Sequence, residues 1–585
     1  MPKLPKPGLK IIFPKKFMDS PLNQNQIQKG IILNAYPDSL GGSISYLTRL
    51  LAEKNFSGVF QSLYLLPTVF HSDLDRGFSI IDYHLNESFI TEEDLRQLKS
   101  LGIGLKLDIV LNHLSVGAPE FKDLIKHGDH SPYLDFFIDW NRFWEGYGTL
   151  NAQGVVIPKA EFKEKLFTRK PGLPILQVPF PDNSFRPYWN TFYQKITLAV
   201  PFIEDCRLEL NLDQEQSKAL FKTIENELIQ GNNPSQAIES LGHNVLEVVP
   251  IIRRHLHMLG QMDLNAESAS VWKYYEDTLK KLRDYGGQII RLDAFAYLHK
   301  AVGESNFFNV PETWQYLNRL QKMAQDLSLA VLPEIHAQYG KHLHDQVSAQ
   351  GFPIYDFFLP GLIIHTIENR DKAPLIKWAQ EILEKGFRLI NMLGCHDGIP
   401  LLDLDGDPEH PASGDGLLST NQIEALIEKI VARGGRIKNL FGPDGEKIAY
   451  YQVNATYFSA LGEDTDKMLL ARALQLFMPG TPQIWYLDLF GGTNDYVAAD
   501  TDQGNHKEIN RTNLTHDQIQ ERINSSLVLN QLELIRLRGH HPAFNGQLEI
   551  IDTDVDLIEL RWTLAEDWAQ LSVDLRQKSF SVTHS

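Results

Sequence analysis

The feature that most constrains this 585-residue chain is a repeated alternation of short apolar runs with amphipathic stretches, several runs ending in an acid or a histidine. Residues 30–36 form a first apolar run, and 43–54 is amphipathic with helical spacing. Residues 59–66 form a second run, 92–100 a helix and 104–111 a third run. Runs that are apolar on both faces and alternate with helices indicate a parallel sheet covered by helices. The alternation stops between about 115 and 262, where aromatic clusters and later helices (214–228 and 244–258) read as a large insertion. It resumes with a helix at 268–285, a strand at 288–294, a helix at 311–327 and a strand at 328–333. Runs at 354–357, 388–393 and 483–487 supply the sixth to eighth strands. The pattern predicts an α/β chain: a (β/α)8 barrel over 1–113 and 263–540, interrupted by an inserted domain over 114–262. The tail has period two at 546–552, 557–562 and 579–582, so a small antiparallel β domain is expected over 541–585.

In such a barrel, functional side chains collect at the C-terminal ends of the strands. Asp293 closes the fourth strand with Arg291 two residues before it, so both share a face. A neighbouring guanidinium keeps a carboxylate ionised, as a nucleophile requires; a structural ion pair is the plainer reading. Glu334 follows the fifth strand. Opposite Asp293, like charge and desolvation would raise its pKa and suit it to general acid work; a solvated strand-end glutamate is the alternative. Asp397 follows the seventh strand and can stabilise developing positive charge, while His396 and His113 can hold sugar hydroxyls. Three carboxylates with two imidazoles suit retaining glycoside chemistry. Histidine and aspartate also ligate metals, but compact signatures such as His-Glu-x-x-His are absent.

Bulk properties narrow the field. A net charge of −18 without a basic stripe argues against nucleic acid and anionic membrane as partners. Hydrophobic residues make up 43%, with no apolar run of transmembrane length. Residues 1–16 lack a signal-peptide core, and two distant cysteines, Cys206 and Cys395, give no disulfide framework. A cytoplasmic location is expected.

The ordered motifs resemble those of the α-amylase superfamily, and within it the sucrose phosphorylase group. They are Tyr36-Pro-Asp-Ser-Leu-Gly-Gly42, Asp75-Arg-Gly-Phe78, Asp108-Ile-Val-Leu-Asn-His113, Arg291-Leu-Asp293, Pro333-Glu-Ile-His336, Cys395-His-Asp-Gly398 and Ile509-Asn-Arg511. The resemblance implies Asp293 as nucleophile, Glu334 as acid/base and Asp397 as transition-state stabiliser. Asp75, Phe78, His113, Arg291 and His396 would surround glucose. Lys507 or Arg511 would pair with the acid of the Asp-Arg-Gly-Phe loop, and Tyr297 and His336 would border the acceptor. It also implies inorganic phosphate as co-substrate, no metal or other cofactor, a small α-glucoside as donor, and a monomer or homodimer.

The chain departs from the sucrose enzymes at 447–452, where Ala449 stands in place of their acceptor-loop aspartate. Losing that carboxylate removes repulsion against an anionic aglycone. Arg169 and Lys170 would form a cationic acceptor wall, and with the polar loop at Gln452 they would offset the repulsion that the pocket's carboxylates exert on incoming phosphate. Glucosylglycerate or a sucrose-like donor is therefore expected, with glucosylglycerol as the neutral alternative. A glucosidase or transglucosidase that replaces phosphate by water or sugar shares the same motifs.

Overall fold

The computed structural model describes residues 30–166, 172–407, 415–441, 447–501 and 506–585. Eight parallel strands form the barrel in the order fifth, fourth, third, second, first, eighth, seventh, sixth. They span Ile32–Ala35, Ser62–Leu65, Gly104–Val110, Gly287–Asp293, Ala330–Pro333, Ile354–Asp356, Leu389–Met392 and Thr481–Trp485. The fifth and sixth, at the two ends of that order, lie against each other. The expected barrel is present, with small shifts at strand ends. The eighth strand lies two residues earlier than periodicity indicates; it ends at Trp485 because Tyr486–Phe490 turns into a helix directly after it.

Helices cover the strands through apolar stripes. Ala269–Asp284 buries Val271, Trp272, Tyr275, Leu279 and Leu282, spacings that keep one face inward. Glu92–Ser100 is fixed at its start by a reciprocal cap between Thr91 and Asp94.

The segment after the third strand is more ordered than its sequence indicates. His113–Ser115 pairs antiparallel with Leu256–Asp263, which pairs in turn with Gln194–Leu198. Ile175–Pro179 and Phe185–Trp189 form a second ribbon. Four helices, Pro201–Glu209, Gln214–Ile229, Ser235–Ser240 and Val245–His255, fill the stretch between. The helix expected over 244–258 ends at His255, since sheet pairing with 194–198 captures the residues that follow. The tail holds four antiparallel strands rather than three. The extra strand, Asp567–Asp574, buries Ala569, Leu571 and Val573 at period two between polar residues. Trp562 Nε1 donates to the carbonyl of Phe477 at 2.9 Å, tying this sheet to a barrel helix.

Candidate active site

The fourth strand sets the centre. Arg291 is paired in register with Asp108 of the third strand, so both side chains enter the barrel together. Arg291 Nη1 lies 2.6 Å from Asp108 and 2.7 Å from Asp293, and its Nη2 lies 2.6 Å from Glu334. One buried guanidinium therefore bridges three carboxylates from three adjacent strands. Ala294, immediately after Asp293, has φ 52°, and its left-handed backbone turns the chain sharply off the strand.

Protonation in this cluster runs opposite to the sequence expectation. Burial, Glu334 and Asp108 raise Asp293 well above the carboxylate range, although Arg291 opposes them. Glu334 is also buried, but Arg291 and His336 hold it below its usual range. The difference follows from the neighbours: Asp293 meets the like charges of Glu334 and Asp108, whereas Glu334 has His336 beside it at 3.6 Å as well as Arg291. The two acids titrate as a pair.

A second charged group closes the other wall. Lys507 lies 2.8 Å from Asp397 and 3.8 Å from Asp75; Arg511 lies 3.6 Å from Asp75 and 3.8 Å from Asp397. Both cations engage both acids, so the sequence alternative between Lys507 and Arg511 does not arise. Burial would raise Asp397, but Lys507, His396 and Arg511 hold it well below the ordinary range. Asp75 and Arg76 have φ values of 46° and 45°, non-glycine residues in the left-handed region. Arg76 is anchored on Asp38, Glu508 and Asn513, and its guanidinium lies over Tyr36. At Gly77 a Cβ would stand 2.4 Å from the Thr68 amide nitrogen, so only glycine fits.

Two imidazoles complete this side. His113 Nε2 is 3.0 Å from the Phe78 carbonyl, and His396 stacks on the Phe78 ring at 4.9 Å. Burial lowers His113 to about 4 and His396 to about 3, so both are neutral at neutral pH. Among the described residues, Nδ1 of each and Oδ1 of Asp75 are buried without a hydrogen-bond partner. Such atoms suit the hydroxyls of a bound sugar.

The residues expected at the acceptor side are more dispersed. Tyr297 packs between Phe192 and Phe307. His336 stacks on Phe357 at 3.7 Å, lies 3.6 Å from Glu334 and is bound to Asp403 at 3.1 Å. Gln452 lies in the hairpin of Arg436–Phe441 and Lys447–Asn454, and its amide donates to Asn454 at 2.9 Å. Arg169 and Lys170 lie outside the described residues.

Sequence reasoning missed several contributors. Lys300 is buried against Asp263 at 2.9 Å and Asn112 at 2.8 Å, bracing the loop that carries Tyr297. Asp403 stands behind His336. Lys438, opposite Gln452 in the hairpin, reaches the Tyr193 hydroxyl at 3.2 Å. Asn112 sits in a motif already singled out; Asp403 and Lys438 carry no periodic or spacing signal.

The chain is 49% identical over 555 residues to sucrose 6(F)-phosphate phosphorylase of Ilumatobacter coccineus, with 95% of each chain covered. It is 30% identical over 561 residues to the Thermoanaerobacterium thermosaccharolyticum protein of the same name, covering 94% of this chain and 95% of that one. The crystal structure of sucrose 6F-phosphate phosphorylase from Thermoanaerobacter thermosaccharolyticum matches with a TM-score of 0.76 at 29% identity, covering 97% of both chains. No protein-family model matches the chain.

Proposed function

This chain belongs to the sucrose phosphorylase group of the α-amylase family and is a glucosyl-transferring enzyme; from that premise we propose that it is a retaining phosphorylase of sucrose 6F-phosphate. The observation that carries the mechanism is the contact of one guanidinium with both Asp293 and Glu334. Binding of the donor in this dry cluster moves the shared proton to Glu334. Glu334 gives it to the glycosidic oxygen while Asp293 attacks C1; the C1–O bond breaks, fructose 6-phosphate leaves and a β-glucosyl ester forms. Ester formation removes the Asp293 charge, so Arg291 then serves Asp108 and Glu334 alone. A phosphate oxygen next attacks C1, the ester bond breaks, and the proton of the attacking phosphate passes to Glu334. The products are α-glucose 1-phosphate and the starting pair of acids.

Asp397, kept ionised by Lys507 and Arg511, faces the positive charge that develops at the anomeric centre. No metal or organic cofactor is required in this reading. Each of the three acids is already met by a cation, and the two groups of side chains with metal-ligand spacing among the described residues exclude all three. The phosphorylated aglycone is favoured by the 49% identical relative, by Ala449 in place of an acid, and by Lys438 beside Tyr193.

The test is to supply sucrose 6F-phosphate, sucrose, glucosylglycerate and glucosylglycerol in turn, with and without phosphate, and to measure glucose 1-phosphate and free glucose. Sucrose 6F-phosphate should give the highest kcat/KM and mainly glucose 1-phosphate. Free glucose at a rate indifferent to phosphate would make the protein a hydrolase, and a preference for glucosylglycerate would displace the aglycone assignment.

A further inference from the structure

An open groove lies between the helices Pro119–His127 and Val245–His255, with a cavity of about 540 Å³. That volume falls in the range of small-molecule sites. Four cations line it: Lys122 and Lys126 from the first helix, Arg253 and Arg254 from the second. Arg254 is committed to Asp205 at 3.2 Å and to Glu209. Lys122, Lys126 and Arg253 make no ion pair among the described residues. The acid between the two lysines, Asp123, is occupied by Ser131 at 2.6 Å and His127 at 3.0 Å. Lys122 and Lys126 are four residues apart on one helix, a like-charge spacing that weakens the helix. The fold adds Arg253, from more than a hundred residues along the chain, to the same cleft. This concentration of positive charge occurs in a chain of net charge −18.

The floor is different in character. Pro179, Leu256 and Met258 give it an apolar surface, with Met258 and Leu256 half-buried and Pro179 buried. Cations spread around an apolar base match a ligand with several adjacent anionic groups on a flat or apolar body, held by charge-assisted hydrogen bonds. None of these residues belongs to the sugar pocket. The strand Leu256–Asp263 leaves the groove at Met258 and ends at Asp263, which braces Lys300.

We propose that this groove is a second ligand site that binds an organic polyphosphate, of nucleoside triphosphate chemistry. Calorimetric titration of ATP and of inorganic triphosphate into the full-length protein tests it. ATP should bind at one molecule per chain, more tightly than inorganic triphosphate because the floor contributes. The triple variant K122Q/K126Q/R253Q should weaken ATP binding at least about tenfold and leave phosphorolysis unchanged, whereas Lys438→Gln, at the sugar pocket, should leave ATP binding intact. The proposal is overturned by absence of ATP binding, by binding that survives the triple variant, by binding lost in Lys438→Gln, or by inorganic triphosphate binding as tightly as ATP. The three substituted side chains are exposed, and retained phosphorolysis reports that the variant is folded.

Discussion

On the glucose side of the pocket, each of the four acids Asp75, Asp293, Glu334 and Asp397 has a lysine or arginine within 3.6 Å; on the acceptor side, Tyr297 and His336 pack against aromatic rings, and His336 and Gln452 make polar contacts with Asp403 and Asn454. The first set stands at or near the ends of parallel strands, with Lys507 and Arg511 brought in from beyond the eighth. The second set comes from the loop after Asp293, the loop after Glu334 and the hairpin that ends at Asn454. Fixed charge around the anomeric centre costs no reorganisation when the transition state forms. Loops can exchange aglycone contacts without disturbing that centre. In the proposed mechanism the first set carries glucosyl transfer and the second selects the leaving group.

The largest break in that picture would come at Asp293. Asp293→Asn keeps the shape but removes the nucleophile, and kcat/KM should fall on the order of 10⁴-fold or more. Donor binding, read by calorimetry, should persist. A variant that keeps a tenth of the wild-type rate would remove the glucose side from the chemistry. Next in size is Lys507→Met. Among the described residues it leaves Arg511 as the one lysine or arginine facing Asp75 and Asp397, and truncating one partner of a buried charge pair costs about 2–5 kcal/mol. The loss in kcat/KM should be equal for every glucoside, whatever its aglycone; a loss confined to phosphorylated aglycones would assign Lys507 to the acceptor side.

The same contrast governs what could be read from the sequence. Asp293, Glu334, Asp397, His113 and His396 were legible because strands announce themselves by apolar runs and the barrel puts strand ends together. The proton balance between Asp293 and Glu334 was not legible, since it depends on which charged neighbours each buried carboxylate meets in the folded pocket. Lys438 and Asp403 were invisible for a different reason. They meet Tyr193 and His336 from a hairpin and from the single 3-10 turn Leu402–Leu404, where no period marks which way a side chain faces. The inserted segment hid its strands because 194–198 and 256–263 pair across a helical stretch, and neither run is long enough to stand out alone.

The dryness of the glucose side has a pH signature of intermediate size. A free imidazole titrates near 6.5, while His113 and His396 are lowered to about 4 and about 3. Between those values the unfolded chain takes up protons that the folded chain refuses. Their contribution to stability is therefore complete above about pH 6.5 and is lost as pH falls toward 4, by about 1.4 kcal/mol per pH unit for each histidine. His396→Asn should flatten the fall of Tm between pH 6.5 and 4.5 relative to wild type. An unchanged slope would mean that His396 is solvated.

The smallest effect, and the sharpest test of the division, is expected at Lys438. Its ammonium reaches the Tyr193 hydroxyl at 3.2 Å from a hairpin rather than a strand end, and its side chain is only partly buried. Partial exposure screens its charge, so replacing it costs far less than replacing a buried cation. Lys438→Gln keeps a polar group near Tyr193 but removes the positive charge. KM for sucrose 6F-phosphate should rise about 3- to 10-fold, equivalent to roughly 0.6–1.4 kcal/mol, while KM for sucrose stays within a factor of about two. Raising the salt concentration should shrink the wild-type preference in the same direction, because it screens the interaction that the substitution deletes. Equal changes for both donors would place Lys438 among the general supports of the pocket, and the selection of a phosphorylated leaving group would then fall to other residues of the acceptor rim.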